Sequence, residues 1–236
     1  MRLKNYFFVL TLICLATISN KGYSQDWNTF ANVSYFAKAN LELELHAKNK
    51  NRVVFMGNSI TEGWISLSPD FFKGRDYINR GIGGQTTPQM LLRFRPDVID
   101  LKPKVVLILA GTNDIAGNTG YTSLETIIGN IKSMAEIANS NGIKVIISSV
   151  LPAITYLWKP GLEPSTKIIS INKALKAYAE EHKFIYLDYF TAMVDDKGGL
   201  KVPEYTAAND LVHPNKAGYL VMEKLAEQAI NIALKN

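Results

Sequence analysis

Five short runs of β-branched and apolar residues, separated by stretches long enough for helices, constrain this chain more than any other feature. The runs lie at 52–56, 77–79, 105–110, 144–149 and 184–187, and helical patterns fall near 61–72, 86–101, 124–141 and 165–182, with a last one at 215–234. Strands that alternate with helix-length connections predict parallel strands joined by crossover helices, hence an α/β fold class: a three-layer α/β/α sandwich around a five-stranded parallel sheet. The run Val105, Val106, Leu107, Ile108 and Leu109 is apolar at every position, as a strand covered on both faces must be. With 236 residues and no internal repeat, low-complexity tract or linker, the chain predicts one domain.

The beginning of the chain has a different pattern. Arg2 and Lys4 precede an apolar run from Phe7 to Ile18, followed by polar Ser19, Asn20, Ser24 and Gln25. This is the order of a secretory signal peptide, and the run is shorter than the roughly 20 residues that a spanning helix needs. Residues 1–24 are read as a cleaved leader, with an uncleaved anchor as the alternative, and the mature protein as periplasmic or extracellular. The only cysteine, Cys14, lies inside the leader behind bulky Ile13, where a lipid-attachment site wants a small residue. A mature chain without thiols has no disulfide, cysteine nucleophile or cysteine metal site. Setting aside Arg2, Lys4 and Lys21 lowers the formal net charge from +5 to +2, too small a bias to argue for nucleic acid. Residues 25–50 predict a helical extension without visible chemistry, ahead of a core at 51–236. Its Asn32-Val33-Ser34 sequon has a spacing common by chance.

In an open parallel sheet, ligands bind beyond the carboxyl ends of the strands. The unusual polar residues fall there: Gly57-Asn58-Ser59-Ile60-Thr61 after the first strand, Arg80 to Thr86 with its glycines after the second, and Gly111-Thr112-Asn113-Asp114 after the third. After the fourth come Tyr156 and Trp158, and the long loop after the fifth ends at Asp210-Leu211-Val212-His213-Pro214.

Each residue has a plain reading beside a chemical one. Ser59, where a strand turns into a helix, is either an N-cap or a nucleophile whose developing charge the helix end favours. A serine nucleophile needs a base, and the histidines are His46, His182 and His213. His46 lies in a charged helical stretch and His182 at a helix end that favours a cation. His213 has Asp210 three residues earlier, a spacing that lets a carboxylate hold one imidazole nitrogen while the other faces Ser59. Its plain reading is a surface histidine ahead of a Pro-started helix. Gly84 and Asn113 could supply N–H donors to an oxyanion or serve as turn residues only.

Taken in order, Gly57-Asn58-Ser59-Ile60-Thr61, Gly84, Gly111-Thr112-Asn113-Asp114 and Asp210-x-x-His213 resemble the four blocks of the SGNH hydrolases, the GDSL-like lipases and acylhydrolases, from about Val53 to the C-terminus. The resemblance implies a flavodoxin-like sheet and a catalytic triad of Ser59, His213 and Asp210. It also implies an oxyanion hole from Gly84, Asn113 and the Ser59 backbone N–H. Asn58 departs from the aspartate in the family's name, but lies outside the triad. The G-x-S-x-G elbow of the α/β-hydrolases has a different context.

These roles imply a carboxylic ester hydrolase working through an acyl-enzyme, with no metal or organic cofactor. Tyr156 and Trp158 could stack on a sugar, line an acyl pocket or merely anchor their loop. A short exported chain without a long apolar lid favours a small acyl group, acetyl above all, on a carbohydrate. Lysophospholipases, thioesterases and platelet-activating-factor acetylhydrolase-like enzymes share the blocks, and a carbohydrate-binding protein without turnover is the reading from another class. The expected partner is a small-molecule or glycan ester, with no nucleic acid and no membrane span in the mature form. Oligomeric state is not legible in the sequence.

Overall fold

The computed structural model describes residues 26–45 and 51–235. The leader with Cys14, its cleavage position and His46 lie outside the described residues. The chain runs α1 (Trp27–Ala31), α2 (Ala37–Leu45), β1 (Val53–Gly57), α3 (Ser59–Leu67), α4 (Pro69–Phe72), β2 (Tyr77–Gly81) and α5 (Thr87–Phe94). A π-helical turn at Arg95–Ile99 leads to β3 (Val105–Leu109), α6 (Thr112–Ala116), α7 (Leu124–Ser140), β4 (Lys144–Ser148), α8 (Ser165–Glu181), β5 (Ile185–Leu187), α9 (Tyr189–Met193) and α10 (Lys216–Lys235).

All five strands pair in parallel, in the order β2-β1-β3-β4-β5. Helices α5, α7 and α8 cover one face, and α3, α9 and α10 the other, so the expected three layers are present. Strands β1 and β3 are buried at every residue. A helix needs only one apolar stripe to cover them: in α7, Ile127, Ile131, Met134, Ala135 and Ala138 recur at three- and four-residue spacing and are buried together. The order reverses between β1 and β3, which makes their carboxyl ends the switch point of the sheet, where a crevice opens.

Three expected helices differ from those observed. The extension is two short helices, because Asn32 turns left-handed at φ 50° and ends α1. Asparagine tolerates that conformation better than most residues. The helix expected at 61–72 breaks at Ser68, ahead of Pro69. The one at 86–101 widens into the π turn at Pro96, which has no N–H to give the preceding turn; Asp100 N–H instead reaches Arg95 O at 3.0 Å. The five-residue helices α6 and α9 are too short to show a period in sequence.

Two packing features position the rim. Behind α3, Trp64 stacks on Phe71 at 5.1 Å and on Tyr219 at 5.5 Å, and the Tyr219 hydroxyl donates to Ile60 O at 2.7 Å, which fixes the start of α3 against α10. The described extension is stitched to the core by amide side chains. Gln85 Nε2 donates to Ala31 O at 2.8 Å, Gln89 Nε2 to Phe30 O at 2.6 Å, and Asn40 Nδ2 to Pro96 O and Asp97 Oδ1 at 3.0 Å each. Arg80 completes the seam, donating from Nε to Asn40 Oδ1 at 3.1 Å with its guanidinium 4.5 Å over the Phe36 ring.

Candidate active site

Strand β1 delivers its last residue, Gly57, into a space where a Cβ would collide with the Thr61 side chain, so only glycine fits the turn into α3. Asn58 then caps α3, its Oδ1 accepting from Ile60 N–H at 3.1 Å. An amide oxygen does this as well as a carboxylate, which explains why asparagine serves in place of the family's aspartate. Ser59 follows as the first residue of α3, half-buried, at the positive end of that helix.

The loop before α10 brings the base. Leu211 adopts φ 69°, rare for a branched side chain, and the tight turn lets Asp210 Oδ1 accept from Val212 N–H at 3.1 Å and His213 N–H at 2.8 Å. The same carboxylate faces His213 Nδ1, at 2.9 Å from Oδ1 and 3.0 Å from Oδ2. His213 Nε2 lies 2.9 Å from Ser59 Oγ. Partial burial opposes the Asp210 charge, but the hydrogen bonds from His213 and Val212, with the imidazole's own charge, outweigh it and hold the carboxyl below its usual pKa. Asp210 is therefore ionised wherever His213 has to become cationic.

Gly84 and Asn113 stand on the neighbouring loops. Gly84 takes φ +74°, and a Cβ added to Gly83 beside it would lie 3.9 Å from Ser59 Cβ, which places this loop against the serine. The Gly84 carbonyl accepts from Asn118 Nδ2 at 3.1 Å, while its N–H has no acceptor among the described residues. Buried Asn113 gives one amide hydrogen to Gln85 O at 2.9 Å, which orients the group and leaves the second hydrogen to spare. Its neighbour Asp114 accepts from Thr87 N–H at 2.9 Å and Thr87 Oγ1 at 2.6 Å; burial lifts the Asp114 pKa to about 6 against those bonds.

Tyr156 needs correction as a residue facing substrate. It is fully buried beneath Trp158, ring centroids 4.9 Å apart, and its hydroxyl lies near Thr112 without a well-formed hydrogen bond. The anchoring reading fits it. Trp158 is 44% exposed, has its ring centroid 6.4 Å from that of His213, and makes a long 3.4 Å hydrogen bond to Asn118 Oδ1. His182 caps α8 beside Tyr178 and Phe184, the structural place expected of it.

Sequence reasoning missed Arg93. Its fully buried guanidinium donates to Gly57 O at 3.0 Å, Arg80 O at 2.9 Å, Gln85 Oε1 at 2.5 Å and Asp97 Oδ2 at 2.9 Å. One side chain thus ties the loop carrying Ser59 to the loop carrying Gly84, and Gln85 extends the tie to Asn113. A faint signal existed: Arg93 and Asp97 stand four apart on the helix face that also carries Met90 and Phe94.

The family model for GDSL-like lipases and acylhydrolases matches residues 55–221, from within β1 to within α10. The chain belongs to this family of ester-bond hydrolases. A proposed acylhydrolase from Bacteroides fragilis is 51% identical, with a TM-score of 0.83 over 89% of this chain and 100% of its own. A GDSL-like lipase from Bacteroides thetaiotaomicron is 49% identical, with a TM-score of 0.82 over 86% of this chain and 99% of its own. The uncharacterised Bacillus subtilis lipoprotein YqeF is 30% identical over 166 residues, 63% of this chain; the match spans only 60% of that lipoprotein's length.

Proposed function

We propose that this GDSL-family chain is an exported serine esterase that removes short acyl groups, acetyl above all, from a carbohydrate. The observation that carries the reading is the unbroken relay Ser59 Oγ, His213 Nε2, His213 Nδ1 and the Asp210 carboxylate, with each link at 2.9 to 3.0 Å. Ser59 Oγ attacks the ester carbonyl as His213 takes its proton. Asp210, accepting from Nδ1–H, keeps the tautomer with Nε2 free and stabilises the imidazolium that forms. The Ser59 and Gly84 backbone N–H groups and the spare Asn113 amide hydrogen bind the oxyanion. His213 returns the proton to the leaving alcohol, and water repeats the sequence on the acyl-enzyme.

The carbohydrate half of the reading draws on Trp158, whose exposed ring beside His213 offers a flat face of about the size of a pyranose. Export draws on the leader and on the lipoprotein relative. Among the described residues, no helix is long and apolar enough to cross a membrane.

Initial rates on p-nitrophenyl esters from acetate to decanoate, for the protein from about Gln25 onward, test the reading. Acetate is expected to be cleaved fastest, and Ser59→Ala and His213→Ala to lose a factor on the order of 10⁴ or more in kcat. An optimum at long chains would redirect it to a lipid acylhydrolase. Near-normal turnover by His213→Ala would end it.

A further inference from the structure

A cavity of about 510 Å³ opens on the same rim, between the loop after β3 and the loop after β4. The Asn118–Trp158 hydrogen bond joins those two loops, and both residues also face the catalytic side: Asn118 through its bond to Gly84 O, Trp158 through its ring beside His213. The residues next to this link in the chain line the cavity: Gly117, before Asn118, and Tyr121 from one loop, and Lys159, the residue after Trp158, from the other. A substrate whose acyl carbon sits at Ser59 and whose alcohol lies over Trp158 would extend into it.

The lining is mixed in a way that selects a ligand. Ile115 and Leu162 are apolar, and Tyr121 presents a ring that is 92% exposed. Lys159 and Lys167 both line the cavity, and neither is ion-paired among the described residues. The one acid in the lining, Asp114, has its carboxylate committed to Thr87. Two cations that make no ion pair among the described residues, outnumbering the one buried acid and set over apolar and aromatic walls, suit a ring with a hydrophobic face and a carboxylate. We infer that this cavity is a subsite for the alcohol half of the ester and takes the carboxylate of an acidic sugar on Lys159 and Lys167.

The inference rests on the esterase reading, and its test separates the two. Acetate release is measured from per-O-acetylated methyl glucuronide and from per-O-acetylated methyl glucoside, which differ in the carboxylate. The glucuronide is expected to be preferred about tenfold in kcat/KM, mainly through KM, with the preference fading in high salt. The double substitution Lys159→Ala/Lys167→Ala should bring the ratio to about one, while Lys176→Ala, an exposed cation on the same helix as Lys167, should leave it intact. No preference in the wild type, or a preference that survives the double substitution, overturns the subsite. Calorimetry on Ser59→Ala needs no turnover. Binding of methyl glucuronide over methyl glucoside, lost in the lysine variant, supports the subsite even if no ester is cleaved. Equal binding of the two, or binding of glycerol 3-phosphate alone, overturns the acidic sugar.

Discussion

Asn113 and Asp114 are adjacent and both buried, yet they play opposite parts. Asn113 keeps one amide hydrogen to spare, whereas Asp114 spends its oxygens on the N-terminus of α5. Asn113→Ala should lower kcat about 10² to 10³-fold with little change in KM, as loss of one oxyanion donor does; steady-state rates on p-nitrophenyl acetate would show it, and a change confined to KM would refute the role. Asp114 makes its prediction through stability. Its folded pKa is raised to about 6, while an unfolded aspartate titrates near 3.9, so between those values only the folded chain holds the proton. The contribution of this group to stability therefore falls as pH rises through that window and stays low above it. Asp114→Asn should gain on the wild type by an amount on the order of 2 to 3 kcal/mol between pH 4 and 7.5. Urea denaturation at the two pH values measures this, and parallel losses in both proteins would contradict it.

At the scale of elements, what was legible in sequence was whatever depends on neighbours along the chain. Strand β3 announced itself because all its residues are apolar, and Asp210 and His213 because a three-residue spacing can close on itself within one turn. Ser59 and His213, far apart in the chain, were paired by elimination among the histidines and by the rim they share, and the family resemblance then gave the pair its roles. Arg93 escaped because the acceptors that tie it to the site include backbone carbonyls of β1 and β2, which no spacing on α5 reveals. Tyr156 and Trp158 looked alike in sequence, since which of two aromatic rings lies underneath is decided by the packing of their loop. The hidden hub has a large expected effect: Arg93→Met leaves Asp97 charged and buried with Asn40 as its remaining side-chain partner, and should cost about 3 to 5 kcal/mol in a denaturant titration. Gln85→Met, which spares that ion pair, should cost less stability and still lower kcat, because it cuts the tie between Arg93 and the Gly84 loop.

Across the whole molecule, the parallel sheet and both helical layers followed from the alternation of runs, while the seam between the extension and the core did not. That seam consists of side-chain amides meeting backbone carbonyls, and its residues read in sequence as ordinary polar surface. Deleting residues 26–45 should leave the sheet folded but remove the acceptors of Gln85 and Gln89 and the partner of Arg80. Circular dichroism should show a retained fold with a lower melting temperature, and kcat should fall along with it. Unchanged turnover would mean that the seam does not reach the site.

The same seam gives the molecule a handle. Gln85 joins the extension on one side and, through its carbonyl, the Asn113 amide on the other, so a pull on the beginning of the described chain is delivered to the loops around Ser59 before it reaches the sheet. A protein tethered by that end would carry its mechanical load through its own catalytic rim, whereas one held by the end of α10 would not.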